Sequence, residues 1–129
     1  MLGSIITSVP GSSEYFLGGT IAYCNGSKED LLGVPKAVMI DKGAVSEETA
    51  VGMAAGVRKM FGSDVSVSIT GIAGPGGGTA AKPVGAVWIG VSAKSGTFAR
   101  RFNFEGSRDE IRKSAADAAI TLLIGTIET

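Results

Sequence analysis

Histidine is absent from the 129 residues, and cysteine occurs once, at Cys24. Without an imidazole, no Ser-His-Asp or Cys-His relay and no histidine-based metal site can be built. A single thiol allows neither an intrachain disulfide nor a thiolate zinc cluster. Acid–base chemistry near neutral pH then falls to Lys, Tyr, Asp or Glu with a displaced pKa. An excess of either charge sign is also missing, since twelve Lys/Arg balance twelve Asp/Glu. Neutrality argues against a protein that grips a nucleic-acid backbone, for which a basic surface is the footprint. Apolar runs fall far short of the roughly 18 residues a membrane-crossing helix needs. No basic segment followed by an apolar one marks a secretory signal, and the acidic residues include no paired set suited to Mg²⁺. The expectation is a cytoplasmic protein with neither a nucleic-acid nor a membrane partner.

The chain is long enough for one domain and one core. Hydrophobic residues make up 44% and charged residues 19%, a composition that packs rather than stays disordered. Ile5, Ile6 and Val9 have helical spacing and run into the turn Pro10-Gly11-Ser12-Ser13. Residues 20–23 (TIAY) follow Gly18-Gly19 and read as a strand, the glycines marking a bend or a close approach. Asn25 is an N-cap candidate for a short helix over 28–32, which Gly33 stops before Pro35. Ser46 caps a longer helix whose first turn holds Glu47 and Glu48 and which Gly62 ends. Its Gly52, Ala54, Ala55 and Gly56 would let it lie close against a sheet.

Residues 65–70 (VSVSIT) alternate apolar with small polar, the pattern of a strand. A second strand spans 84–93. Lys94-Ser95-Gly96 is a hairpin turn, and 97–104 pairs back antiparallel, with Phe98, Phe102 and Phe104 on one face and Arg101 and Asn103 on the other. Ser107-Arg108-Asp109-Glu110 is a capping box opening a last helix, whose apolar face is Ile111, Ala115, Ala118, Ala119, Leu122 and Leu123. Helices alternate with strands before the hairpin, so the fold expected is a three-layer-like α/β sandwich with a mixed sheet.

Two places could carry chemistry. The string Gly71-Ile72-Ala73-Gly74-Pro75-Gly76-Gly77-Gly78 leaves the end of a strand, where ligands of open α/β sheets commonly bind. Successive glycine amides can cradle an anion with no side chain in the way. It is neither a Walker loop, lacking Gly-Lys-Ser/Thr, nor a dinucleotide fingerprint, lacking a following helix. A plain flexible connector is the competing reading, although Pro75 and Lys82-Pro83 stiffen it. The second place is Tyr23 with Lys28, one at a strand end and the other in the first turn of the helix capped by Asn25. The positive end of the helix dipole would lower the lysine pKa, and a neutral lysine can act as a general base. Against this stands a solvated lysine and a packing tyrosine. Cys24 reads as a small buried filler and Trp88 as sheet packing. Arg100, Arg101, Arg108 and Arg112 read as surface charges, any of which could face a phosphate.

Residues 10–34 (PGSSEYFLGGTIAYCNGSKEDLLGV), 43–50 (GAVSEETA), 70–91 (TGIAGPGGGTAAKPVGAVWIGV) and the later GSRDEIRKSAADAA resemble, in order, the C-terminal domain of the CinA family. These are the competence- and damage-inducible proteins, whose stand-alone form is the nicotinamide-nucleotide amidase PncC. The resemblance covers 1–129 as one domain. It implies hydrolysis of the carboxamide of nicotinamide mononucleotide to nicotinate mononucleotide and ammonia, by a serine nucleophile assisted by a tyrosine and a lysine, without metal or cofactor. Tyr23 and Lys28 match those two assisting residues. Asn25, Thr70, Gly71, Gly74, Gly76, Gly77 and Gly78 match positions bordering the substrate. Family members carry an apolar strand and then Glu-Ser-Cys-Thr-Gly-Gly, the source of the nucleophile, upstream of the position of Met1. That string does not occur in this sequence, and Ser4, Ser12 and Ser13 stand outside any such motif. The resemblance therefore implies a fold with its N-terminal strand missing, an impaired amidase or a non-catalytic binding domain, and a homo-oligomer that covers the exposed sheet edge.

Overall fold

The alternation over 65–70 sets the order of the layers. The structure, a computed structural model, describes residues 1–128. Its sheet consists of β1 (Val65–Gly71), β2 (Ala86–Ala93) and β3 (Gly96–Asn103), in the order β1-β2-β3. Ser66, Ser68 and Thr70 point to one face of β1, and Val67 and Ile69 to the other. The polar face is the more deeply buried of the two. It receives α4 (Glu47–Phe61), which Ser46 caps by accepting the Thr49 N–H and which Gly62 ends in the left-handed region. Ser66 Oγ donates to the Ala54 carbonyl at 2.6 Å and Ser68 Oγ to that of Ala50 at 2.7 Å. Such bonds require the helix backbone almost in contact with the sheet. Gly90 of β2 permits this, because a Cβ there would lie 2.4 Å from the Ala50 carbonyl oxygen.

The opposite face carries the apolar core. Val87 and Ile89 of β2 pack with Ile111, Ala115 and Ala119 of α5 (Arg108–Ile127). Ser107 and Glu110 close the expected capping box at its start. Phe102 and Phe104 join this core with their rings stacked 5.5 Å apart. Helix, sheet and helix thus form the three layers of the expected α/β sandwich. Among the described residues both strand pairings are antiparallel, so the mixed sheet is corrected. No helix separates β1 from β2 or β2 from β3, and only a crossover of that kind returns a strand parallel to its neighbour.

The remaining elements are α1 (Leu2–Thr7), which packs on α5, a 3₁₀ turn (Ser12–Glu14), α2 (Asn25–Asp30) and α3 (Lys36–Asp41), the last unforeseen and packed on α4. Leu32, Val34, Met39 and Met53 form a second buried cluster, with Ala22 and Ala44 packed against it. Residues 20–23 are not a strand. Among the described residues no neighbouring strand offers them a ladder. The helix after them spans Asn25–Asp30 and not 28–32, and its cap stands one residue before the expected one: Cys24 is the N-cap of α2 and Asn25 its first residue.

Candidate functional site

Lys28 lies in the last turn of α2 rather than the first, because the helix is only six residues long. Its side chain runs inward and is 7% exposed, which excludes the solvated-lysine reading. Nζ donates to the Ala22 carbonyl at 3.0 Å. Burial pushes the ammonium below its ordinary value of 10.5, and the charge of the Cys24 thiolate pulls it partly back. The lowered pKa expected from the sequence is present, but its cause is desolvation and not the helix dipole.

Tyr23 turns the other way and is 83% exposed. No hydrogen bond of the described residues joins its phenol to Lys28 or to the glycine loop. Asn25 is exposed at the start of α2. Cys24, read as a buried filler, is exposed, because it caps a helix at the surface. Its Sγ lies 3.2 Å from Ser27 Oγ. The Ser27 side chain, followed by the Ser27 backbone, holds the thiol below its ordinary 9.0, against a smaller opposing effect of burial.

The glycine loop is closed at its neck by two main-chain bonds, Ile72 N–H to Ala86 and Gly85 N–H to Ile72. Gly71 ends β1 opposite Val87, so close that a Cβ would stand 2.7 Å from Val87 Cγ2. Gly74 has φ +80°, and a Cβ on it would meet Val84 Cγ1 at 2.5 Å, so both conformation and space require glycine here. The main-chain N–H groups of Ala73, Gly74, Gly76, Gly77 and Gly78 donate to no group of the described chain.

Three cationic side chains stake this loop down. Arg108 Nη1 donates to the Gly74 carbonyl at 2.8 Å, Arg101 Nη2 to Ala81 at 3.1 Å, and Lys82 Nζ to Lys42 at 2.7 Å. The ion pairs of the described residues involve Lys42, Arg112 and Lys113, so no carboxylate neutralises these three stakes. A floppy connector is therefore the wrong description. The loop is tied at both ends and carries unneutralised positive charge beside free amides. Sequence spacing read Arg101 and Arg108 as surface charges that could face a phosphate and Lys82 as part of a stiff exit, and missed their bonds to the loop and its support because the acceptors are main-chain carbonyls distant in sequence.

The lysine half and the loop half meet through residues 42–44. Lys82 bonds the Lys42 carbonyl, and Thr70, 6% exposed, donates through Oγ1 to Ala44 at 2.7 Å. Ala44 in turn packs on the buried cluster that also holds Ala22, the acceptor of Lys28. Thr70 thus spends its hydroxyl on the scaffold beneath the loop.

The family model for the CinA C-terminal domain matches residues 1–127. A CinA-like protein of Geotalea uraniireducens is 53% identical over 107 residues, which are 83% of this chain and 26% of that protein. One from Desulfotalea psychrophila is 46% identical over 123 residues, 95% of this chain and 30% of that protein. The chain thus spans less than a third of the length of these curated relatives. Among solved structures, the competence/damage inducible protein CihA of Agrobacterium tumefaciens superposes with a TM-score of 0.93 at 36% identity, covering 96% of this chain and 76% of that one. A competence-damaged protein (CinA) superfamily protein of Enterobacter cloacae gives 0.92 at 27% identity, covering 97% and 74%.

Proposed function

Because this chain belongs to the CinA C-terminal domain family of competence/damage-inducible proteins, we propose that its site takes a pyridine mononucleotide and serves hydrolysis of the nicotinamide carboxamide, a step of pyridine-nucleotide salvage. The observation that carries this reading is the loop of free amides staked by Arg101, Arg108 and Lys82, none of them paired with an acid. A concentration of donors and uncompensated positive charge suits a phosphate monoester and has no use for an apolar ligand.

Lys28 supplies the chemistry. A desolvated amine gives up its proton more readily and can accept one from a hydroxyl at working pH. In the reaction, a serine Oγ attacks the carboxamide carbon as its proton passes to the Lys28 amine. The tetrahedral adduct collapses, the C–N bond breaks, and the same proton leaves on ammonia. Water then cleaves the acyl-serine to nicotinate mononucleotide. Tyr23 is the second proton-handling group, and Asn25 and the glycines border the substrate.

The serine of that scheme belongs to the Glu-Ser-Cys-Thr-Gly-Gly string, which the 129 residues do not contain. Turnover by this chain alone should then lie about four or more orders of magnitude below that of a relative carrying the string, as for loss of any hydrolase nucleophile. A second reading, a domain that binds the nucleotide without turning it over, is favoured by the outward course of Tyr23, which is 83% exposed and, among the described residues, bonds neither Lys28 nor the glycine loop.

Calorimetry with nicotinamide mononucleotide and an ammonia-release assay separate the two. Binding with turnover that Lys28→Met abolishes supports the amidase. Binding with turnover no faster than the uncatalysed hydrolysis, and unchanged by Lys28→Met, supports the second reading. Failure to bind the nucleotide at all removes both.

A further inference from the structure

Gly74 is gripped twice. Val84 packs against it so closely that its Cγ1 would lie 2.5 Å from a Gly74 Cβ, and its Cγ2 would lie 3.0 Å from a Cβ on Gly78, so the loop is folded round this one side chain. Arg108 supplies the second grip through the 2.8 Å bond from Nη1 to the Gly74 carbonyl. The arginine works from a fixed base. It is the first residue of α5, behind the Ser107–Glu110 capping box and three residues before Ile111, which is 2% exposed in the core. The neighbouring acid does not draw it away, because Asp109 pairs with Arg112 at 3.5 Å. Beyond the held carbonyl the chain has little freedom for one residue. The Gly74–Pro75 peptide is planar and the Pro75 ring fixes φ. One soft angle, ψ of Pro75, therefore separates the gripped plane from the plane that carries the Gly76 N–H.

We infer that Arg108 is a positioning residue of this site: by holding the Gly74 carbonyl it sets the direction in which the Gly76 N–H is offered to a ligand. The ligand half of this inference rests on the proposed reading of the site, whereas the ordering of Gly76 does not. Among the described residues the Gly74 carbonyl has no donor besides Arg108. Gly76 has open space where a Cβ would stand and the wide backbone range of glycine, so nothing of its own keeps its amide aimed. An amide free to swing must be ordered each time a ligand arrives, while a gripped one is ordered already by folding. A guanidinium acting through charge alone would behave differently. Its pull on an anion would be screened by salt, whereas a bond to a neutral carbonyl persists. One N–H is enough for the grip, so lysine can stand in for arginine.

Amide-nitrogen NMR relaxation on the ligand-free full chain tests the ordering. Gly76 should have an order parameter of about 0.85 in the wild type and below about 0.6 in Arg108→Met, with Arg108→Lys restoring it. Val84→Ala changes no charge and should loosen Gly76 in the same way, and it serves in place of Arg108→Met should that variant fail to fold. Gly96, at the start of β3, should respond to none of them. Calorimetry with nicotinamide mononucleotide tests the consequence: Arg108→Met should bind about tenfold more weakly than the wild type, and Arg108→Lys within about threefold of it. The tenfold ratio should persist in about 0.5 M sodium chloride, where charge attraction is largely screened. A rigid Gly76 in either loosening variant, no restoration by lysine, or an affinity loss that disappears in salt would each overturn the inference. Should the wild type not bind the nucleotide, the proposed function falls and the order of Gly76 alone decides for or against Arg108.

Discussion

Replacing Gly90 by alanine adds one methyl group where α4 lies on the sheet. The new Cβ would stand 2.4 Å from the Ala50 carbonyl oxygen and 2.6 Å from Ser68 Oγ. In favour of the change is alanine's smaller loss of backbone entropy, about 0.5–1 kcal/mol in an extended segment. Against it, one obstructing atom is helix backbone and cannot swing aside, so α4 must lift. Overpacking of this kind costs about 1–3 kcal/mol, and the lift also stretches the Ser68–Ala50 bond, worth about 1 kcal/mol. The overlap wins, and Gly90→Ala should destabilise by about 2–3 kcal/mol. Ser68→Ala removes the bond but leaves the Ala50 carbonyl to its helix partner, at a cost of about 1 kcal/mol. Because Ser68→Ala also clears one of the two obstructing atoms, the double variant should cost about 1 kcal/mol less than the two singles together. Urea unfolding followed by Trp88 fluorescence and far-ultraviolet dichroism measures all three. A Gly90→Ala protein within 0.5 kcal/mol of wild type, or strict additivity in the double variant, would refute this account of how the helix is seated.

Lys28 holds its proton less tightly in the fold than in the unfolded chain. Stability should therefore rise with pH between its folded pKa and 10.5, and Lys28→Met should lose that rising component; equal slopes in alkaline urea titrations would contradict it. Alkylation of Cys24 by iodoacetamide should reach half its maximal rate below pH 9.0, and Ser27→Ala should move that midpoint upward by removing the first cause of the shift. Ser107→Ala should destabilise by about 1 kcal/mol through loss of the Glu110 N–H acceptor. Glu110, held below its ordinary 4.5 by the Ser107 N–H, supports the fold above that value, and its support should fade as pH falls through the lowered pKa.

What the sequence disclosed was what short-range chemistry decides. Ser46 and Gly62 bound α4, Ser107 and Glu110 open α5, and 94–96 turn the hairpin, because caps and turns are satisfied within a few residues. The strand reading of 20–23 failed because a ladder needs a partner, and local alternation cannot say whether one exists. α3 was missed because its six residues show less than two turns of periodicity. In β1 the alternation was correct but did not say which face lies deeper: Ser66 and Ser68 do, since their acceptors are carbonyls of a helix twelve and eighteen residues away. At the site, the residue types Lys28 and Gly74 were legible. The inward course of one and the stakes on the other depend on Ala22, Lys42 and Arg108, contacts that no spacing rule connects.

The three stakes of the glycine loop all end on neutral carbonyl oxygens. Dissolved salt weakens attraction between full charges far more than hydrogen bonds to uncharged acceptors. On the proposed reading, ionic strength becomes a dial that leaves the cradle standing while dimming its pull on an approaching phosphate. A nucleotide whose affinity drops steeply with added chloride, in a protein whose unfolding midpoint stays put, would be recognised through charge the fold keeps in reserve.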